Sequence, residues 1–174
     1  MNLRVLVLLS LFVGIGFVLH YVVPPVFLGM KPDMALAMMF LGIILFPKLN
    51  KVLLLSLLTG IVSALTTSFP MGEIINFIEK PITAFIFLSL YLLVRNVSNK
   101  LVTATCLTAI GTLISGSIFL SLALYMMHID IGVGFIAMFT ANVLPAIILN
   151  TIVVGIIYPV TLGVFKRMNF SFTV

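Results

Sequence analysis

Charged side chains are what this sequence has least of. Of its 174 residues, 7% are charged and 63% are hydrophobic, only four are acidic, and the mean hydropathy is +1.38. So few polar residues cannot cover a water-facing surface, while apolar runs of membrane-spanning length recur from end to end. The composition excludes an ordinary soluble domain and predicts one integral membrane domain, residues 1–174, with almost no soluble part.

Several chemical motifs are missing as well. The sequence has no G-x-x-x-x-G-K-[ST] run for nucleotide phosphates, no H-E-x-x-H and no G-x-S-x-G. Its single cysteine, Cys106, excludes an internal disulfide or a multi-cysteine metal site. The net charge of +5 comes without a basic patch of arginines and aromatics, so nucleic acid is not an expected partner. We expect no enzyme activity, catalytic residue, cofactor or metal.

The apolar runs, divided at proline, glycine and charge, predict an all-α polytopic membrane protein with six transmembrane helices. The first run is long for a signal peptide and lacks a small-residue cleavage site, so it is retained as a helix. Pro145 and Pro159 are expected to bend the sixth. The predicted helices are Leu3–Val23, Asp33–Phe46, Val52–Phe69, Lys80–Val94, Leu101–Met127 and Gly134–Phe165.

The distribution of charge predicts the orientation. Six crossings place both termini on one side, and the positive-inside rule assigns the side rich in lysine and arginine to the cytoplasm. All four acids fall on the other side, with Lys31 and Lys80. The cations on the predicted cytoplasmic side are Arg4, Lys48, Lys51, Arg95, Lys100, Lys166 and Arg167.

Two of the predicted helices, the second and the fourth, are shorter than the roughly 20 residues that a spanning helix needs. Both begin beside charge on the predicted outer side. Their charged ends are therefore expected to lie below the outer membrane surface and to line a water-accessible hollow. The connections Pro24–Pro32 and Pro70–Glu79 could cover that hollow as lids.

Lys31 and Asp33 flank Pro32 at the start of the second helix. In one interpretation Lys31 is an interfacial anchor and Asp33 an N-terminal cap, stabilised by the helix dipole. In the other, they bind a zwitterionic ligand, with Lys31 facing a carboxylate and Asp33 an ammonium group. The residues alone leave both interpretations open.

A second polar cluster contains Glu73, Asn76, Glu79 and Lys80. A short helical turn would place Glu73, Asn76 and Lys80 on one side, as candidate substrate-binding residues. The alternative is a solvated outer loop, although the interleaved isoleucines and phenylalanine favour packing onto the bundle.

Four polar residues near the apolar segments have competing interpretations. Asn142 and Asn150 could line the wall and floor of a pocket, or could hydrogen-bond a neighbouring helix. His20 and His128 are expected at the membrane interface, because two unclustered histidines are weak evidence for a metal. Among the aromatic residues, Phe40 and Phe85 could offer a ring to an aromatic ligand.

Small residues recur at four-residue spacing in the pairs Ser10/Gly14, Gly60/Ala64 and Gly111/Ser115. Such patterns allow transmembrane backbones to approach closely, and most are expected to serve packing within the bundle. Ser10 and Gly14 could instead contact a partner subunit.

Three stretches, Pro24–Met34 (PPVFLGMKPDM), Ala64–Pro70 (ALTTSFP) and Leu149–Ile152 (LNTI), resemble the bacterial tryptophan transporter family TrpP. The resemblance runs along essentially the whole chain and is most specific through Lys31 and Asp33. It implies tryptophan uptake in a bacterial plasma membrane. Tryptophan would satisfy Lys31 and Asp33 while its ring stacks on an aromatic side chain.

The TrpP family is similar to the substrate-binding S components of energy-coupling factor (ECF) transporters, which are six-helix bundles. The resemblance therefore also implies partners: an ECF transmembrane coupling subunit and two ATPase subunits. S components often carry Ala-x-x-x-Ala on the first helix for the coupling subunit, where this chain has Ser10 and Gly14. The rival hypotheses are a solitary ion-coupled carrier and a membrane scaffold without a small ligand.

Overall fold

The computed structural model describes residues 3–25, 31, 33–126 and 134–167. Within these ranges the chain is helical and contains no strand, which confirms the predicted all-α bundle. The fifth and sixth helices include π-helical segments, Leu122–Met126 and Phe139–Val143. The helices are α1 (Leu3–Val22), α2 (Met34–Leu45), α3 (Leu49–Thr66), α4 (Gly72–Val94), α5 (Lys100–Met126) and α6 (Phe135–Arg167).

Five of these helices, all but α2, are long and apolar enough to cross a membrane. Helix α2 has 12 residues, every one of them buried, and it packs against all five other helices. At 1.5 Å per residue it is about 18 Å long, shorter than the ~30 Å hydrocarbon core. The predicted short second helix is confirmed, and it forms the centre of the bundle.

The predicted short fourth helix is wrong. Helix α4 begins at Gly72 and has 23 residues, so the segment predicted as the lid Pro70–Glu79 is mostly helix. Proline is common in the first turn of a helix, so Pro81 made the preceding Glu79 and Lys80 resemble the start of a helix. In the structure Pro81 lies inside α4, and both charged side chains are buried in the bundle. The other predicted lid, Pro24–Pro32, lies largely outside the described residues.

Successive helices run in opposite directions, which gives the bundle two distinct ends. At one end lie the C-terminal part of α1, the start of α2 and the early turns of α4 and α6, around a cavity that contains Asp33. At the other lie the end of α2 and the starts of α3 and α5, around Lys48 and Lys100. We call these the cavity end and the basic end.

Two of the small-residue pairs serve packing, as predicted. A Cβ atom on Gly111 would come within 2.7 Å of the rings of Phe40 and Phe87, and one on Gly60 within 3.4 Å of the Asn76 carbonyl oxygen. Phe40 and Phe87 stack with ring centroids 4.0 Å apart in the core. By contrast, a Cβ atom on Gly14 would meet nothing within 4 Å.

Candidate functional site

A cavity opens at the cavity end of the bundle, with about 590 Å³ of empty space including the part open to solvent. Residues of α1, α2, α4, α5 and α6 line its wall. Thr67, which directly follows the last turn of α3, lines it as well. The polar and charged lining residues are His20, Lys31, Asp33, Thr67, Asn76, Lys80, Thr112, Ser115, Asn142 and Asn150.

Lys80 lies between two carboxylates beside this cavity. Its Nζ atom is 2.7 Å from Asp33 Oδ2 and 2.5 Å from Glu79 Oε2, and Lys80 is 1% exposed. Desolvating an ion costs several kcal/mol, and in this triad the cost is offset by two opposite charges and by direct hydrogen bonds. Lys80 therefore links the start of α2 to the middle of α4.

Glu79 is fully buried and its carboxylate joins two helices. Besides Lys80, which bonds Oε2, the hydroxyls of Thr83 on α4 and Ser115 on α5 each donate to Oε1 at 2.5 Å. Glu79 does not itself line the cavity. Its position suits an indirect role, in which it holds Lys80 and Ser115 in place.

Asp33 caps helix α2, so the predicted N-terminal cap is confirmed. Its Oδ1 atom accepts a hydrogen bond from the backbone N–H of Leu36 at 3.2 Å, and the Ser63 hydroxyl donates to Oδ2 at 3.3 Å. His20 Nδ1 lies 3.2 Å from Oδ1. With Lys80 on Oδ2 as well, the acceptor positions of this carboxylate are largely filled by the protein.

The predicted interfacial placement of His20 is wrong. Its side chain is 5% exposed and lines the cavity, with Nδ1 against Asp33. The contact forms because the last turn of α1 packs beside the start of α2. Thirteen residues separate the two side chains, so no local pattern in the sequence could show it. His128 lies outside the described residues.

Asn142 and Asn150 are buried at 3% and 0% exposure, and both line the cavity. Their amide nitrogens donate to the Met138 carbonyl at 3.3 Å and to the Thr112 hydroxyl at 3.2 Å. Within the part of the chain that the structure describes, their Oδ1 atoms have no hydrogen-bond partner. A buried acceptor left unpaired costs about 1–3 kcal/mol, so these two oxygens are suited to accept a hydrogen bond from a donor in the cavity.

The π-helical segment of α6 explains why Asn142 lies here. Pro145 has no N–H to donate to the carbonyl of Ala141, and its ring would clash with that carbonyl in a regular α-helix. The wider turn over Phe139–Val143 accommodates the proline, and Asn142 lies within it. Such π-bulges often occur at functional sites. The bend predicted at Pro145 and Pro159 stays a prediction.

The second polar cluster is only partly assembled. Asn76 and Lys80 line the cavity, and Asn76 Nδ2 donates to the Gly72 carbonyl at 2.9 Å. The three residues Glu73, Asn76 and Lys80 share one face of α4, as predicted, but Glu73 is exposed and does not line the cavity. The solvated-loop interpretation is wrong, because the segment is helical.

Lys31 lines the cavity at intermediate burial. Among the described residues it has no ion-pair partner, in contrast to Lys80. Its amine is therefore available to an anionic group in the cavity. Together with Asp33, Glu79 and Lys80, this lysine forms a group of two acidic and two basic side chains.

The apolar part of the wall consists of Leu36, Phe69, Phe119, Val143 and Ala146. Phe69 and Phe119 meet edge to face with centroids 5.4 Å apart. Phe40, one of the rings predicted to face an aromatic ligand, is instead stacked on Phe87 in the core. Phe85 packs against the same core. The aromatic side chains that line the cavity, Phe69 and Phe119, are therefore not the ones that were predicted.

Ser10 and Gly14 do not line this cavity and lie on the exposed face of α1. They are not covered by another described helix, and the neighbouring exposed residues are apolar, among them Val7, Leu11 and Val18. This face is available to lipid or to another protein.

Among the described residues there is no group of histidine, cysteine and acidic side chains that could hold a metal ion.

Comparison with known proteins places this chain in a family. A family model described as "Tryptophan transporter TrpP" matches residues 2–166. A Bacillus subtilis protein named "Probable tryptophan transport protein" is 51% identical over 170 residues, covering 98% of this chain and 97% of the relative. Proteins of the same name from Clostridium acetobutylicum and Clostridium perfringens are 37% and 30% identical, and each alignment covers at least 96% of both chains. No solved structure matched significantly. The chain, a multi-pass bundle of apolar helices, belongs to the TrpP family of tryptophan transporters.

Proposed function

We propose that this protein takes up tryptophan across a bacterial plasma membrane and binds it in the cavity at the cavity end of the bundle. The observation that carries the proposal is a pair of amide oxygens, Asn142 Oδ1 and Asn150 Oδ1, in the wall of the cavity that Lys31 also lines, all three without a partner among the described residues. Tryptophan supplies the missing chemistry, since its ammonium and indole N–H groups are donors and its carboxylate is an acceptor. The family membership supports the same ligand.

The electrostatics also favour a zwitterion. The charged groups beside the cavity are two carboxylates and two amines, so a ligand with no net charge leaves their balance undisturbed. In this proposal Lys31 binds the carboxylate, while the amide oxygens of Asn142 and Asn150 accept the nitrogen donors. The indole ring lies against Phe69 and Phe119, a contact worth about 0.5–1.5 kcal/mol beyond area burial.

The predicted roles of the remaining site residues are adjusted accordingly. Asp33 and Glu79 act on the ligand through Lys80, because their own oxygens already accept bonds from the protein. Asn76 and Lys80 contribute to the wall directly. Glu73 is exposed, so in this proposal it lies near the entrance of the cavity and does not contact the ligand.

A ligand screen tests the proposal. The purified protein is heated with tryptophan, with each other natural amino acid and with water-soluble vitamins, and the unfolding midpoint is measured. A ligand that binds the folded state alone stabilises it by about 2.7 kcal/mol at one hundred times its Kd. We expect tryptophan to give the largest shift. No shift with any amino acid would support the scaffold hypothesis instead.

We further propose that the protein works as the substrate-capture subunit of an ECF-type transporter, with a transmembrane coupling subunit and two ATPase subunits. The sequence has no P-loop, so energy from ATP would have to come from partners. The uncovered face of α1 around Ser10 and Gly14 is the candidate contact with the coupling subunit. Small residues there would allow another helix to approach closely.

Co-purification tests the partnership. Gly14→Leu is expected to reduce recovery of ATPase subunits with the tagged protein. Gly163→Leu is the matched control, because Gly163 is also an exposed helical glycine whose Cβ atom would meet nothing within 4 Å. If no ATPase subunit is recovered with the native protein, and reconstituted protein alone accumulates tryptophan down an ion gradient, the solitary-carrier hypothesis replaces the proposal. The buried Asp33–Lys80–Glu79 triad favours that alternative, since intramembrane acids often mark ion pathways.

In this proposal both termini and the basic end face the cytoplasm, and the cavity end faces outward. The orientation can be tested in a Cys106→Ser background by adding one cysteine at the basic end, Asn96→Cys. A membrane-impermeant thiol reagent should label it in broken cells and leave it unlabelled in intact cells. Labelling in intact cells would reverse the orientation.

A further inference from the structure

A second concave site lies at the basic end of the bundle, opposite the cavity in which we propose that tryptophan binds. It has about 1,330 Å³ of empty space including the part open to solvent. The end of α2, the start of α3, the end of α4, the start of α5 and the last turns of α6 surround it. We call it the basic pocket, after the four cations in its wall: Lys48, Lys51, Arg95 and Lys100.

These four cations have no counter-ion within the part of the chain that the structure describes. The described ion pairs all lie at the cavity end, and no described acidic side chain lines the basic pocket. Lys51 is only half-exposed and its Nζ atom lies 5.1 Å from the centre of the Phe46 ring. Lys100 donates to the backbone carbonyl of Arg95. Two separate connections thus bring like charges into one hollow, an arrangement that an anion would stabilise.

The rest of the wall is apolar or amphipathic. Ile44, Leu45, Phe46 and Leu162 provide an apolar surface, and the two tyrosines Tyr91 and Tyr158 lie beside it. An inorganic anion would gain little from such a surface. A molecule with a charged phosphate and a hydrocarbon chain would satisfy both parts of the wall.

The location agrees with such a ligand. The basic pocket lies where five helices reach their ends, the level at which lipid headgroups meet a membrane protein, and tyrosine is enriched at that level. Basic pockets between transmembrane helices are known to bind anionic headgroups. We propose that the basic pocket binds the phosphodiester of an anionic phospholipid, with an acyl chain along its apolar wall.

The simpler explanation is that these cations only set the membrane orientation. Under that explanation they attract anionic lipid diffusely, and their contribution does not depend on whether they line the pocket. Lys166 and Arg167 allow the two explanations to be separated. They carry the same charge at the same end of the bundle, are exposed, and do not line the pocket.

The experiment measures lipid binding by native mass spectrometry and by thermal unfolding of the detergent-solubilised protein. The probes are phosphatidylglycerol, phosphatidylcholine with the same acyl chains, and inorganic phosphate. We expect phosphatidylglycerol to bind and stabilise the protein, and the other two to do so far less. We expect Lys51→Gln/Arg95→Gln to weaken phosphatidylglycerol binding about tenfold or more, and Lys166→Gln/Arg167→Gln to change it less than about threefold.

Each other outcome overturns the proposal. Equal weakening in the two double variants would show diffuse attraction, and equal stabilisation by inorganic phosphate would show a free-anion site. Equal binding of phosphatidylcholine would remove the charge argument. Should the pocket variant fail to fold, Lys51→Gln compared with Lys166→Gln makes the same distinction with one charge each.

Discussion

The two ends of this bundle use the same residue type in opposite ways. At the cavity end Lys80 is 1% exposed and bonded to two carboxylates, whereas at the basic end Lys48 and Lys100 are exposed and have no acidic side chain beside them among the residues described. A buried charge must be paired, and its partners then fix the geometry of the surrounding helices. An exposed charge at a helix end keeps its water and remains available to a ligand or a membrane surface. The comparison shows that burial, more than residue identity, separates a structural lysine from an interacting one.

The largest expected difference between the ends is in stability. Lys80→Ala leaves the buried Glu79 and the partly buried Asp33 without their common partner, and breaking such a buried pair costs about 3–5 kcal/mol. Lys48→Ala removes an exposed side chain and should change the free energy of unfolding by about 0.5 kcal/mol or less. Denaturant unfolding in detergent measures both. Similar losses for the two variants would remove the distinction between the ends.

A smaller difference is expected from glycine substitutions. A Cβ atom on Gly116 would lie 2.6 Å from a methyl carbon of Val143, so Gly116→Ala should cost about 1–3 kcal/mol through overpacking beside the cavity. Gly163→Ala, at the basic end, meets nothing and should be neutral or stabilising by up to about 1 kcal/mol. Thermal unfolding of the two proteins compares them. A neutral Gly116→Ala variant would mean that α5 and α6 are less closely packed at the cavity than described.

A third difference is expected in ligand affinity alone, with no change in stability. Lys31→Gln removes the amine proposed to bind the carboxylate of tryptophan, and the loss of one charged hydrogen bond of about 1.5–3 kcal/mol corresponds to roughly tenfold or more in Kd. Lys48→Gln makes the same change at the basic end and should leave the Kd unchanged. Titration calorimetry with tryptophan distinguishes them. If both variants bind as the native protein does, the carboxylate is held elsewhere.

Much of the fold could be predicted from the sequence because membrane-spanning helices need long apolar runs. The six helices follow from that requirement. The short α2 could be predicted for a different reason, because the cap residue Asp33 marks its start. The start of α4 could not be predicted. Glu79 and Lys80 resemble the start of a helix in the sequence, because charged residues normally lie at the membrane surface. They can be buried within α4 only because Lys80 pairs with both Glu79 and Asp33.

The candidate site was predictable in part for the same reason. Polar residues in apolar segments are costly, so Asn142, Asn150 and Lys80 stood out, and the cavity includes all three. His20 and Ser63 did not, because their role depends on contacts with Asp33 across 13 and 30 residues. Thr83 could have been found, since it follows Glu79 by four residues on the same helical face.

The central claim is that the unpartnered oxygens of Asn142 and Asn150 receive the nitrogen donors of tryptophan. Its most direct test is titration calorimetry of tryptophan with the native protein, Asn142→Leu, Asn150→Leu and the control Asn50→Leu, an exposed position at the basic end. We predict that each cavity variant raises the Kd by about tenfold or more while retaining most of its stability, because leucine removes an unsatisfied buried acceptor. The control should bind as the native protein does. Native-like affinity in both cavity variants would contradict the account.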